Sequence, residues 1–141
     1  MCRLFCWAAG QAVSPIDVLG TDSKHLHDLS LIHKDGWGGA TCSAGVIQAV
    51  HAVDAAAESD SYADFVTETK SPAGMIHLRW ATEELAVCIP NTHPFVKNGP
   101  MGKIAFIHNG GVARGESLNA LIDSDYLGEL EGDTDSEQYF V

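Results

Sequence analysis

The residue with the clearest chemical potential is Cys2, which follows the initiator Met1. Removal of Met1 would leave Cys2 with a thiol and a free α-amine in one residue. The reference pKa of an α-amine, about 7.7–8.0, lies close to the pH at which a general base works best. Because the thiolate is the attacking form of cysteine, such a residue combines nucleophile and base and needs no histidine partner. The alternative is a buried, inert cysteine of the kind common in protein cores.

The remaining cysteines and the histidines show no metal-binding spacing. Cys6, Cys42 and Cys88 form no Cys-x-x-Cys pair, and the four cysteines together make no framework typical of secreted proteins. The seven histidines fit no zinc pattern. We therefore expect no metal and no cofactor, and a reduced, cytoplasmic setting.

Composition excludes several classes of function. The chain has 141 residues, of which 45% are hydrophobic, which suits one globular domain over residues 1–141. Its 8 basic and 19 acidic residues give a formal net charge of -11, so nucleic acid and anionic membranes are poor partners. The sequence has no apolar run long enough to span a membrane, and we expect no signal peptide, because its start lacks an apolar region followed by a cleavage site.

Strands and helices alternate along the chain. An apolar run over 2–9 predicts a buried strand that ends at Gly10, and Ser14-Pro15 predicts the start of a short helix that ends at Gly20. Strands over 40–43 and 46–53 should form a hairpin that turns at Ser43-Ala44-Gly45. Further helices are expected over 23–33, 61–69 and 117–122, and turns at 71–74 and 98–100.

Two further strands hold the residues of greatest interest. Alternation over 75–80 puts Met75, His77 and Arg79 on one face, and Ile76, Leu78 and Trp80 on the other, which should be buried. A strand over 103–108 ends abruptly at Asn109-Gly110-Gly111. Cys6 shares a strand face with Cys2 and is expected to pack in the core. Thr134-x-x-Glu137 fits a capping box that begins a helix.

Six motifs, in order, resemble those of class II glutamine amidotransferases, which are N-terminal-nucleophile hydrolases. They are Cys2-Arg3-Leu4-Phe5, Asp35-Gly36-Trp37-Gly38, His77-Leu78-Arg79-Trp80-Ala81-Thr82, Asn91-Thr92-His93-Pro94-Phe95, Ile107-His108-Asn109-Gly110 and Gly132-Asp133-Thr134-Asp135-Ser136-Glu137. The first two resemble the stand-alone branch of the family, although Cys6 stands where relatives of that branch typically have glycine.

The resemblance implies an α+β fold with four αββα layers, in which two mainly antiparallel sheets pack face to face. The domain is considerably longer in this family, so we expect 1–141 to be its N-terminal part, incomplete at the C-terminus. A helix that begins at Thr134 has few residues before Val141, and short helices are marginal alone. We therefore expect the 141-residue chain, when expressed alone, to be poorly soluble or loosely packed and to bind glutamine weakly or not at all.

The resemblance also assigns catalytic residues. Cys2 would attack the side-chain amide of glutamine, and the Asn109 side chain and Gly110 N–H would bind the oxyanion of the intermediate. An Asn side chain has an NH₂ donor, and glycine lets the backbone approach closely, so the chemistry agrees. Without the other motifs, Asn109-Gly110 would read as an ordinary turn.

Substrate binding is assigned in the same way. Arg79 matches the residue that holds the α-carboxylate, and a guanidinium can bind a carboxylate through two parallel hydrogen bonds. Asp135 matches the residue that binds the α-ammonium, although an acidic residue in the first turn of a helix is also favoured by the helix dipole. Trp80 and Thr82 match positions that line the pocket. His77, His93 and His108 receive no role, since a histidine in an apolar strand is usually a core residue.

The sequence thus predicts a glutamine amide hydrolase that forms a thioester and releases ammonia and glutamate. An acceptor domain or synthase could use the ammonia, but the sequence identifies neither. One alternative is a γ-glutamyl hydrolase of the ergothioneine-pathway type, acting on a substituted γ-glutamyl compound. Another is a truncated, inactive domain that only binds a partner.

Overall fold

A four-stranded antiparallel sheet forms the centre of the molecule. The computed structural model describes residues 1–82, 84–112, 118 and 120–141. The sheet has the strand order β1-β4-β2-β3, from strands β1 (Arg3–Val13), β2 (Trp37–Ser43), β3 (Val46–Ala52) and β4 (Ser71–Leu78). Strands β5 (Phe95–Gly99) and β6 (Gly102–Phe106) form a separate antiparallel hairpin. The mixed α+β class predicted from the sequence is confirmed.

Five short α-helices with defined bounds accompany the strands in the part of the chain that the structure describes. Three precede β4 and cover one face of the sheet: α1 (Pro15–Leu19), α2 (Ser23–Ser30) and α3 (Asp60–Glu68). Two follow the hairpin: α4 (Ser124–Leu127) and α5 (Asp135–Phe140). Single 3₁₀ turns span Gly20–Asp22, Ala56–Glu58 and Ile89–Asn91. No helix in the described part of the chain is long and apolar enough to cross a membrane.

The helix-covered face of the sheet carries the apolar core. Alternation along the strands places Trp7, Trp37, Ile76 and Leu78 on this face, where they pack against Leu26, Tyr62 and Phe65 of the helices. The Trp37 ring lies 5.1 Å from the Tyr62 ring and 5.9 Å from that of Phe65. Gly39 has to be glycine here, because a Cβ would lie 2.5 Å from the Phe65 ring.

The opposite face of the sheet is covered in part by the segment before β5 and by the hairpin. Nε2 of His51 in β3 forms a hydrogen bond of 2.7 Å with the carbonyl of Pro94. The His93 backbone lies directly over Gly38, where any side chain would collide with it. An apolar groove of about 390 Å³ separates β6 from Cys6, Cys42 and Met75.

Local signals in the sequence were mostly correct. Ser14 caps α1, since its Oγ accepts from the Asp17 N–H and Pro15 is the first helical residue. The predicted hairpin turn is confirmed, with positive φ at Ala44 and Gly45 (49° and 78°). The predicted helices over 23–33 and 61–69 are present as Ser23–Ser30 and Asp60–Glu68. The predicted helix over 117–122 lies partly outside the described residues.

Three predictions about the first strand, residues 71–74 and Cys6 were wrong. Residues 71–74 are the start of β4, not a turn, and Pro72 is tolerated because it stands opposite the register irregularity between Ala8 and Val13. The first strand continues past Gly10 to Val13. Cys6 is exposed rather than packed in the core, because it lies on the sheet face opposite to the helices.

Candidate active site

A cavity of about 100 Å³ lies where β1 begins and β4 ends. The antiparallel pairing of Arg3 with Leu78 brings Cys2 next to the residues that follow β4. Pockets for drug-sized ligands are commonly about 300–1,000 Å³, so this cavity suits a much smaller molecule. Its lining residues include Cys2, His77, Arg79, Trp80, Thr82, Asn91, His93, His108, Gly110 and Asp135.

The Cys2 sulfur is held at the end of β4 by the backbone of Trp80. The Trp80 N–H donates to Sγ at 3.3 Å, and the thiol lies 3.6 Å from the Trp80 carbonyl oxygen. The Arg3 guanidinium donates to the carbonyl oxygens of Met1 and Cys2 at 3.0 and 2.9 Å. These contacts fix both the backbone and the sulfur of Cys2 at the edge of the cavity.

Arg79 carries the positive charge of the cavity. Its side chain is buried, and the guanidinium donates to the carbonyl oxygens of Ala86 (3.0 Å) and Asp35 (3.3 Å). Burial lowers the pKa of Arg79, and the nearby Asp35 carboxylate opposes that shift. The guanidinium nevertheless stays charged, because arginine does not deprotonate in proteins.

The Asp35-Gly36 segment fixes the end of β4. The Asp35 carboxylate accepts from the Ala81 N–H at 2.9 Å, and its backbone N–H donates to the Arg79 carbonyl oxygen. The Arg79 N–H in turn donates to the Gly36 carbonyl oxygen at 2.8 Å. Gly36 has φ 113° and its Cβ position lies 2.7 Å from the Ala52 carbonyl oxygen, so only glycine fits. This part of the motif therefore supports Arg79 rather than lining the cavity.

Asp135 brings a carboxylate to the same cavity. It is the first residue of α5 and is buried, and its Oδ2 accepts from the Val112 N–H at 2.7 Å. Ser136 Oγ lies 3.4 Å from Asp135 Oδ1 and 2.9 Å from His108 Nδ1, so the hydroxyl links these two residues. The helix start that carries them is capped by Thr134, whose Oγ1 accepts from the Glu137 N–H at 3.1 Å.

The predicted capping box is only half formed. The buried Glu137 carboxylate accepts from the N–H groups of Glu131 (3.1 Å) and Gly132 (2.8 Å), and it forms an ion pair with Lys97 of β5 at 3.0 Å. Its side chain therefore holds the segment before α5 against the hairpin.

Asn109 and Gly110 differ in placement. Gly110 lines the cavity with φ 156°, and a Cβ there would lie 3.0 Å from the His108 ring. The Asn109 side chain is exposed and is absent from the described cavity lining. The structure thus brings Cys2, Arg79, Gly110 and Asp135 together, and leaves Asn109 at the surface beside them.

Trp80 and Thr82 lie at the mouth of the cavity. Both line it, but both are exposed, so the prediction that Trp80 is buried was wrong. Trp80 follows β4 rather than belonging to it, and its ring centroid lies 5.4 Å from that of His33 in an edge-to-face arrangement.

Two buried histidines form the floor of the cavity. The rings of His77 and His93 lie 4.3 Å apart, and His77 Nε2 lies 3.2 Å from the His108 carbonyl oxygen. Burial lowers the pKa of His77 to about 4 and that of His93 to about 2. Both imidazoles are therefore neutral at neutral pH. No cluster of His, Cys, Asp or Glu in the described ranges is arranged to hold a metal ion.

A larger cavity of about 430 Å³ lies among α1, α2 and α3. Its described lining is largely apolar, contains no cysteine and shares no residue with the cavity at Cys2. Size alone therefore does not identify the reactive site.

The model of the family "Glutamine amidotransferases class-II" matches residues 1–141. The chain belongs to this family. A search of curated proteins gave no match. The family predicted from the six motifs is confirmed. Class II amidotransferases handle the amide group of glutamine. A small cavity lined by a cysteine, one positive and one negative side chain fits a substrate of that kind.

Several residues of this class II amidotransferase received no role from the sequence. Asp35, Asn91 and Ser136 all make side-chain hydrogen bonds that position the cavity residues. Asp35 and Asn91 are the first residues of two of the recognised motifs, and this position could have marked them as functional residues. Ser136 lies within the sixth motif, but its bond to His108, 28 residues away, is not visible from spacing.

Proposed function

We propose that the chain hydrolyses the side-chain amide of glutamine, with Cys2 as an N-terminal nucleophile. The observation that carries this proposal is the meeting of the Cys2 thiol, the Arg79 guanidinium and the Asp135 carboxylate around one cavity of about 100 Å³. A free amino acid presents a carboxylate and an ammonium beside its side chain, so its charges complement those of the cavity.

The nucleophile depends on removal of Met1, because Cys2 otherwise has an amide nitrogen in place of an amine. Once released, the amine would take the thiol proton, and the thiolate would attack the amide carbon of glutamine. Collapse of the tetrahedral intermediate transfers that proton to the leaving ammonia and forms a thioester. Water then hydrolyses the thioester to glutamate and restores the thiol.

The developing oxyanion needs donors. We assign these to the Gly110 N–H, which lies in the cavity wall, and to the side-chain amide of Asn109. Because the Asn109 side chain is exposed, this assignment requires it to turn toward the substrate when the cavity is occupied.

The amino-acid head group would be bound at both charges. Arg79 uses two of its five N–H donors on backbone carbonyls, which leaves donors for a substrate carboxylate. Asp135 can accept an ammonium proton beside its bond to Val112. A glutamine within a peptide lacks both free charges and would be rejected.

A γ-glutamyl hydrolase is the second candidate. Trp80 and Thr82 are exposed at the cavity mouth beside Cys2, so a substituted amide could leave toward solvent there.

We place the chain in the stand-alone branch of the family, in the cytoplasm, with a four-layer αββα domain. These assignments rest on the opening motifs and the cysteine usage, and an ammonia-accepting partner stays a proposal too.

The test is labelling and turnover on cell-derived protein. Intact mass should show the loss of one Met, and a diazoketone analogue of glutamine should modify Cys2 and spare the half-buried Cys88. Ammonia release from glutamine should stop in Cys2→Ala and persist in Cys88→Ala, the control. Faster turnover of γ-glutamyl anilides than of glutamine would favour the second candidate.

Full activity with Met1 retained, or labelling of another cysteine with Cys2 untouched, would contradict the mechanism.

A further inference from the structure

Asn91 is a fully buried polar residue to which the proposed chemistry gives no role. It ends the 3₁₀ turn Ile89–Asn91, has 0% exposure and lines the cavity at Cys2. An uncharged amide buried this completely has to satisfy both of its ends, because an unpaired polar group in the interior is costly.

Both ends of the Asn91 amide are used, and they reach two different segments. Nδ2 donates to the Ala86 carbonyl oxygen at 3.1 Å, and Oδ1 accepts from the Asp133 N–H at 2.7 Å. The two partners are 47 residues apart in sequence, so this single side chain joins two segments that are distant along the chain.

Each of these segments holds one of the charged groups of the cavity. The same Ala86 carbonyl oxygen accepts from Arg79 Nη2 at 3.0 Å. Asp133 precedes the helix cap Thr134 and is two residues from Asp135. Gly132 packs so closely that a Cβ on it would overlap Asn91 Oδ1 and the Pro90 carbonyl. One path of hydrogen bonds from the guanidinium to the segment that carries the carboxylate therefore runs through the Asn91 amide.

We infer that Asn91 is a positioning residue that sets the separation between Arg79 and Asp135 and so selects ligands carrying both a carboxylate and an ammonium. The inference rests on the proposed function, since it takes Arg79 and Asp135 as the groups that bind the head group. Two-point recognition depends on spacing, whereas a ligand with one charge can shift to meet either group. Loss of the bridge should therefore weaken glutamine selectively.

The experiment measures selectivity without turnover. In a Cys2→Ala background, calorimetry would give dissociation constants for glutamine, for glutaramate, which lacks the ammonium, and for 4-aminobutanamide, which lacks the carboxylate. The measured quantity is the preference for glutamine over each analogue. Asn91→Ala should reduce both preferences about tenfold or more, because the bridge loses both of its hydrogen bonds.

Two further variants separate positioning from folding. Thr92→Ala is the matched control, since Thr92 is similarly buried but its Oγ1, among the described residues, bonds only to the Cys88 carbonyl oxygen, at 2.8 Å. It should lower the unfolding temperature to a similar extent and leave the preferences within about twofold of the background. If Asn91→Ala does not fold, Asn91→Asp keeps the size of the side chain and removes the donor to Ala86, and the same ratios decide.

Preferences that stay within about twofold in the Asn91 variants would overturn the inference and leave the proposed function standing. A background protein that shows no preference for glutamine would overturn the inference together with the head-group assignment. Glutamine turnover by the unmodified chain tests the proposed chemistry separately, so the two failures can be told apart.

Discussion

The two faces of the four-stranded sheet differ sharply, although the same strands supply both. The helix-covered face is built from aromatic and aliphatic side chains such as Trp37, Ile76 and Phe65. The opposite face carries His77, and it leads to Cys2 and Arg79 at the strand ends. Because successive side chains in a strand point to opposite faces, one residue of shift would exchange core and cavity. Stability and chemistry are therefore separable here, and substitutions can test that separation.

The largest effect on stability should come from the core face. Phe65→Ala removes the ring that packs over Gly39 and beside Trp37, and it should lower the free energy of unfolding by about 3–5 kcal/mol. Denaturant unfolding checks this, with the fully exposed Met101→Ala as control, expected to change little. A stable Phe65→Ala protein with impaired turnover would show that the two faces are not separate.

Asn109, which is exposed on the cavity side, should show the reverse pattern, with a large effect on catalysis and almost none on stability. Asn109→Ala should lower kcat by about 10²–10³ with KM little changed, since the donor acts on the developing oxyanion. Its unfolding should be unaffected, because the side chain is exposed. Steady-state kinetics would compare it with Asn98→Ala, which removes an exposed asparagine from another Asn-Gly pair. Equal kcat in the two variants would assign Asn109 to the turn alone.

The third effect concerns the dependence of stability on pH. Burial lowers the pKa of His93 to about 2 and that of His77 to about 4, against about 6.5 in an unfolded chain. Below pH 6.5 the unfolded state therefore binds protons that the folded state excludes, and stability falls as pH falls toward 4. Each histidine should contribute about 1 kcal/mol per pH unit in that window.

A substitution can isolate that contribution. His93→Gln should flatten the fall in stability between pH 6.5 and 4, measured by denaturant unfolding at a series of pH values. His25→Gln serves as control, because the His25 side chain is 79% exposed. A slope unaltered in His93→Gln would contradict the assignment of a neutral, buried imidazole.

Local rules predicted the local features of this molecule. Ser14, Ala44-Gly45 and Thr134 act through neighbours within a few residues, and the structure confirms each of them. Residues 71–74 have the composition of a turn but form a strand. The Trp7 ring packs directly over Gly74, and the Ser71 hydroxyl donates to the Cys42 carbonyl oxygen on the neighbouring strand. Pairing between distant strands decided that segment, and composition does not report it.

The site divides in the same way. Family motifs located Cys2, Arg79 and Asp135, which the structure brings to one cavity although 133 residues separate the first from the last. Residues that work by bridging were missed, since the value of Asn91 lies in two backbone groups that only the folded chain places beside it. Burial was misjudged at Trp80 because the strand ends two residues earlier, at Leu78.

The distribution of the three tryptophans has a spectroscopic consequence. Trp7 and Trp37 are 7% and 0% exposed on the core face, whereas Trp80 is 48% exposed at the cavity mouth. A small quencher should therefore extinguish Trp80 emission alone while the chain is folded, and the unquenched remainder should follow unfolding. With a net charge of -11, an uncharged quencher such as acrylamide suits this better than iodide. One emission spectrum then carries separate reporters for an occupied cavity and an intact core.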